Sequence, residues 1–208
     1  MTLTAENVCK RYNREWIFRN FSFSFHEGHY AIVGPNGSGK STLLQILWGQ
    51  LPSSSGNLLY HDGSKPVPSD DIFRHLAIAA PYVNLIEELT LKEIIRFHFS
   101  FKKSREKQGP ERLLDRMELG HALDKQVAHF SSGMKQRLKL GLALFSDVPL
   151  VFLDEPTTNL DKASVAWYWD QFNLLPPKTT VFVASNHESE YPERAIKINL
   201  SDYKSGYN

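Results

Sequence analysis

Gly34-Pro35-Asn36-Gly37-Ser38-Gly39-Lys40-Ser41 decides the fold. The stretch matches the pattern G-x-x-x-x-G-K-[ST], and it lies between a short apolar run, His29 to Val33, and a helix-like segment, Lys40 to Trp48. Its glycines let the chain curl so that successive amide N–H groups point inward, and a helix that begins near Lys40 adds the positive end of its dipole. A triphosphate fits such a cradle. Lys40 is expected to reach the β- and γ-phosphates, the Ser41 hydroxyl to ligate Mg²⁺, and Thr42 to support the α-phosphate end. The competing reading is a glycine-rich turn whose lysine faces solvent, and the strand before it and helix after it disfavour that reading.

Outward from the loop, the residues before it read as β-rich: strands are predicted at Thr2 to Tyr12, Phe18 to His26 and His29 to Val33. After it, Gly49 and Pro52 end the helix, and a short strand, Asn57 to Tyr60, closes at Asp62-Gly63. Leu76 to Ala79 reads as another buried strand. Leu91 to Phe101, Glu111 to Met117 and Gly133 to Phe145 then carry helical spacing of apolar residues. From Leu150 the alternation returns: strand Leu150 to Leu153, helix Lys162 to about Leu175, strand Thr179 to Ala184 and strand Ala195 to Leu200, with Ser201 to Asn208 as a loose polar tail. Parallel strands joined by helices demand this alternation, so the expectation is an α/β fold with a parallel sheet core and a helical block inserted in it.

Leu150 to Leu153 runs straight into Asp154 and Glu155. Strand tips are where α/β sheets present their ligand sites. Asp154 is placed to hold Mg²⁺ through its water shell, and Glu155 to orient and polarise an attacking water. Many strands end in acids that merely cap a helix, so the pair gains its weight from the phosphate loop.

Four further stretches complete a resemblance to the ABC (ATP-binding cassette) ATPases that covers nearly the whole chain. Phe130-Ser131-Ser132-Gly133-Met134-Lys135-Gln136-Arg137 resembles the family's signature sequence and starts its serine 23 positions before Asp154. Pro156-Thr157-Thr158-Asn159-Leu160-Asp161 resembles the D-loop, His187 the switch histidine, and Tyr12 the aromatic that stacks on adenine. The resemblance implies a P-loop NTPase of the ABC type, with a mixed β core, a β-rich N-terminal lobe and an inserted helical lobe. It implies one domain over 1–208, with the core at 1–80 and 146–208 and the helical lobe at about 81–145.

By the same resemblance, Ser131, Ser132, Gly133 and Met134 serve the γ-phosphate held by a second ATP-binding subunit, in a homodimer. Ser131 also has the residue type of a helix N-cap, and one geometry serves both uses. Catalytic roles fall to Glu155, His187 and Lys40, metal contacts to Ser41 and Asp154, and D-loop contacts to Asn159, Leu160 and Asp161. The cofactors implied are ATP and Mg²⁺. The function implied is ATP hydrolysis that drives transport by separate integral membrane subunits, from a cytoplasmic position on the inner face of the cell membrane.

Three departures stand out. Ala79 to Thr90 lacks the glutamine that the family carries where the core meets the helical lobe; counting back from Leu89-Thr90 puts Pro81 or Tyr82 near its place, with Asn84 as a shorter substitute. Ser132 replaces the first signature glycine, and Met134 the glutamine after the second.

Composition bounds the alternatives. With 208 residues and 41% hydrophobic content, the chain can bury a core but hardly a second enzyme domain. Lys plus Arg (24) balance Asp plus Glu (23), so no chain-wide basic field points to nucleic acid, and no nucleic-acid partner is expected. Cys9, the single cysteine, reads as a small buried side chain. No apolar run is long enough to cross a bilayer, and no leader is recognisable. Two rivals are a soluble cassette ATPase acting on ribosomes or DNA, and a nucleotide-dependent interaction module with little turnover. The single cassette and short helical insert favour transport over the first, and the missing glutamine motivates the second.

Overall fold

The computed structural model describes residues 1–105 and 110–204. Alternation of buried and exposed positions builds the first strands, β1 (Thr2–Tyr12) and β2 (Glu15–Phe25), which pair as an antiparallel hairpin. β3 (Gly28–Val33) then leads into the phosphate loop and α1 (Lys40–Leu47). β4 (Ser55–Asp62) returns to pair with β1, and β5 (Lys65–Val67) adds to its edge, giving a four-stranded sheet in the order β2-β1-β4-β5. After β6 (Leu76–Ala79) come α2 (Leu91–Phe101), α3 (Pro110–Arg116) and α4 (Ser132–Leu144). β7 (Leu150–Asp154), α5 (Lys162–Asn173), β8 (Thr180–Ala184) and β9 (Ile196–Asn199) complete a five-stranded parallel sheet in the order β6-β7-β8-β3-β9.

Both faces of the parallel sheet are covered, which is what its near-continuous apolar strands require. Leu150, Phe152, Phe182 and Ala184 face β1, β2 and α1, where Phe152 and Phe182 stack at 4.5 Å and Trp48 meets Phe152 edge-on at 5.6 Å. Val151, Leu153, Val181 and Val183 face the other way, onto α4 and α5. The mixed α/β architecture expected from the sequence is the one observed.

Strand ends differ from expectation where pairing, not composition, sets them. β2 starts at Glu15 because the hairpin register with Tyr12 extends it past the polar Arg14–Trp16 stretch. β5, too short and polar to read as a strand, exists through its pairing with β4. The expected loose tail also needs correction over its described part: Leu200–Tyr203 form a 3-10 turn, and the Tyr203 ring lies 4.9 Å from Phe21. Residues 205–208 of that expected tail lie outside the described residues. Cys9 is buried, and the Asn20 amide donates to its sulfur.

Candidate functional site

β3 and β7 have β8 between them, so their C-terminal tips open on one edge of the sheet. There the phosphate loop and the two carboxylates meet. The loop turns at once after β3: the Ser38 amide donates to the Pro35 carbonyl at 3.0 Å, and Gly37 and Gly39 take φ values of 73° and 101°. At Gly39 a Cβ would lie 2.2 Å from Ile17 Cγ2 and could enter only if Ile17 or the loop shifted, so the β1–β2 hairpin packs directly on the loop. Gly34 is packed nearly as tightly, since a Cβ there would meet the Ser38 hydroxyl at 2.9 Å. No side chain caps α1 at Gly39, so its first amides remain free for an anion.

Lys40 is buried, and its ammonium donates to the Gly34 and Pro35 carbonyls at 3.0 and 3.2 Å. Burial lowers its pKa, and the opposing charges of Glu155 and Asp154 partly offset that. Asp154 is 1% exposed at the end of β7. Burial raises its pKa; the Ser41 and Tyr82 hydroxyls pull the other way, Glu155 raises it further and Lys40 lowers it. Those hydroxyls approach without completing hydrogen bonds, and both Asp154 oxygens are left without a partner. A buried carboxylate in that condition is costly unless a cation meets it. Asp154 and Ser41 therefore fit a divalent ion that also takes phosphate and water oxygens. No cluster of three metal-ligating His, Cys, Asp or Glu side chains exists among the described residues, so such an ion needs those extra ligands.

Glu155, half-buried, adopts the left-handed backbone conformation (φ 45°), with its amide donating to the Ala184 carbonyl at 2.9 Å. Asn159 is left-handed as well (φ 64°), and Asp161 caps α5 by accepting from the Ser164 amide at 2.8 Å. Leu160 packs against the helical side of the core.

Ser131 caps α4: its hydroxyl accepts from the Met134 amide at 3.2 Å. Ser131 and Ser132 are exposed, and Gly133 and Met134 partly so. A Cβ on Gly133 would lie 3.1 Å from the Asn159 carbonyl, and Gln136 Nε2 donates to the Pro156 carbonyl at 2.8 Å. The signature and D-loop stretches of one chain thus touch. Tyr12, 48% exposed at the hairpin end, has the Lys10 ammonium 5.0 Å from its ring centroid. His187 is exposed, and its amide donates to the Ser185 hydroxyl at 2.8 Å.

The structure brings Gly34, Pro35, Asn36, Gly37, Ser38, Gly39, Lys40, Ser41, Asp154 and Glu155 to one place. Ser131 to Met134 stand beside the D-loop, as the Gly133 and Gln136 contacts define. Two contributors were missed. Asn186 donates through its amide to the Asn36 side chain, tying the segment before His187 to the phosphate loop. The other is Gln136, which stands within the signature stretch but was given no role of its own. Its neighbourhood in sequence to Gly133 was the available signal, while Asn186 had only its adjacency to His187.

A parallel sheet with a glycine cradle at one strand tip and paired acids at the next-but-one defines a P-loop nucleoside triphosphatase. The family model described as "ABC transporter" matches residues 18–158, and the chain belongs to that family. It is an ATP-binding subunit that hydrolyses ATP. The chain is 37% identical over 171 residues to the cytochrome c biogenesis ATP-binding export protein CcmA of Mesorhizobium japonicum, covering 80% of this chain and 82% of that protein. It is 32% identical to the maltose/maltodextrin import ATP-binding protein MalK of Photobacterium profundum, covering 78% of this chain and 45% of MalK. The dimeric structure of MJ0796, a bacterial ABC transporter cassette, superposes with a TM-score of 0.78 at 23% identity over 95% of this chain and 94% of that one, so the fold is shared. No helix among the described residues is long and apolar enough to cross a membrane.

Proposed function

We propose that two copies of this chain close head to tail around two ATP molecules and drive transport by separate membrane subunits. In this reading 1–208 is one cassette domain, with its core at 1–80 and 146–208 and its helical lobe at about 81–145. The Lys40 loop of one copy faces Ser131 to Met134 of the other, and Asn159, Leu160 and Asp161 line the seam between them. Tyr12 stacks on adenine. Asp154 and Ser41 hold Mg²⁺, which when bound neutralises phosphate charge. Glu155 accepts the proton of the attacking water, and His187 donates to the γ-phosphate.

The observation that carries this reading is the buried Asp154 carboxylate, both oxygens unpartnered, within electrostatic reach of Lys40 and Ser41. The exposed, capped start of α4 supports the two-copy site, because Ser131 and Ser132 are open to a neighbouring copy. For the membrane subunits, support comes from an apolar groove of about 400 Å³ between the sheet and the helices, lined among others by Val83, Leu85, Ile86 and Phe97. Such a groove suits a short helix from a membrane protein, with this chain peripheral on the cytoplasmic face.

Glu155→Gln tests the catalytic core of the proposal. The variant is expected to bind ATP, to accumulate as a dimer in size-exclusion chromatography, and to turn over about 10² to 10⁴ times more slowly. Turnover at the wild-type rate removes Glu155 from its role. A pull-down from detergent-solubilised membranes should recover a multi-span protein, whereas recovery of ribosomes or DNA would favour the soluble alternative.

A further inference from the structure

Tyr82 sits in the turn between β6 and α2, where the Val83 amide donates to the Ala80 carbonyl at 3.2 Å. Its ring stacks on Trp48 at 6.0 Å with planes 29° apart. That stacking sends the hydroxyl inward, where its oxygen is fully buried and completes no hydrogen bond. Two groups lie within its reach: the Gln45 side chain from α1 and the Asp154 carboxylate. A phenol that has given up water for such a position is costly unless it has a function or a partner. Asp154 offers the acceptor, and the Gln45 amide offers a donor for the phenol oxygen.

The turn is also held from outside. Lys139 of α4 donates to the Ala80 and Pro81 carbonyls at 3.1 and 3.0 Å. The helix capped by Ser131 is thus clamped to the peptides immediately before Tyr82. Asn84, two residues beyond Tyr82, is exposed and lines the apolar groove.

We propose that Tyr82 is a positioning residue for the cation site: its hydroxyl stands beside Asp154 without a completed bond, and with the ion bound it would donate to that carboxylate, fix it toward the metal, and tie it to the position of α4 through Lys139. The inference rests on Asp154 being the metal-facing carboxylate. A phenol has one proton to give and a weakly donating neutral oxygen, so it orients Asp154 and leaves the ion's coordination shell to other groups. Tyr82, and not Asn84, then fills the place left by the absent glutamine.

Binding of a non-hydrolysable ATP analogue, titrated with Mg²⁺ and repeated in EDTA, tests this. In Tyr82→Phe the ring and its Trp48 contact remain, so affinity in EDTA should match wild type. The Mg²⁺ concentration for half-maximal enhancement should rise about 10- to 100-fold, as for loss of a group supporting a metal ligand. Asn84→Ala should leave that midpoint unchanged, and Asp154→Asn should abolish the enhancement. If Asp154→Asn abolishes it while Tyr82→Phe does not move it, the role of Tyr82 is overturned. If Asp154→Asn itself retains the enhancement, the reading of the cation site fails instead. A shift in Asn84→Ala with none in Tyr82→Phe assigns the place to Asn84.

Discussion

The Thr157 amide donates to the Glu190 carboxylate at 3.0 Å, and the Thr157 hydroxyl donates to the same oxygen. This joins the segment that follows Glu155 to the segment that follows His187, across the tips of β7 and β8. Glu190 is 2% exposed, and the Tyr168 hydroxyl holds its backbone by donating to its carbonyl at 2.9 Å. Glu190→Ala would strand the Thr157 amide and open a void. The expected loss is about 1 to 3 kcal/mol, read as a lower urea midpoint, with slower ATP turnover as Glu155 loosens. Glu190→Gln keeps a carbonyl acceptor and should lose less on both readouts. Equal losses in the two variants would contradict this account.

Gly39 is the loop position with the least freedom. Any Cβ there meets Ile17 Cγ2 at 2.2 Å, and φ is 101°. Gly39→Ala should therefore weaken ATP binding by at least about 10-fold, since the loop must move to accept the methyl and a 1.4 kcal/mol penalty already gives that factor. Adding Ile17→Ala removes the clash but not the backbone strain, so affinity should return only in part. Calorimetric titration with ATP gives the comparison, and full recovery would assign the whole effect to Ile17.

Gln136 is buried, and its donation to the Pro156 carbonyl links α4 to the stretch just after Glu155. Gln136→Leu has similar bulk but leaves that carbonyl unpaired, at an expected loss of about 1 to 3 kcal/mol. ATP affinity should hold, because the phosphate loop is untouched, while kcat falls. Steady-state kinetics separate the two, and a raised KM with unchanged kcat would place Gln136 elsewhere in the mechanism.

The phosphate loop and the parallel strands were legible because their signals are local. Glycine spacing marks the cradle, and apolar runs such as Leu150 to Leu153 mark strands buried on both faces. What stayed hidden depends on contacts between distant residues. Tyr82 was one of three residues named for the missing glutamine's place, with Pro81 and Asn84, and only its position beside Asp154 separates it from them. Asn186 gains its place from Asn36, 150 positions away in the chain. Tyr203 looked like part of a loose tail until Phe21 supplied a surface for its ring.

His98 gives the fold a pH dependence of its own. Its Nε2 lies 2.8 Å from the Ser146 hydroxyl, which donates its one proton to the Leu142 carbonyl at 2.7 Å. The hydroxyl must therefore accept, and His98 carries its proton on Nε2 as a neutral ring. Burial first, then the charge of Lys102, pushes its pKa from 6.5 down to about 4. Above pH 6.5 the ring is neutral in folded and unfolded chains alike, and its packing contributes in full. Between there and about pH 4 the unfolded chain takes up a proton that the folded one refuses, so stability falls as pH falls. Over the whole window the loss is about 3 kcal/mol, at about 1.4 per pKa unit. Urea midpoints of wild type should decline from pH 7 to pH 4.5 more steeply than those of His98→Gln, which has no proton to gain there. Parallel declines in the two proteins would mean that His98 ionises freely in the folded state.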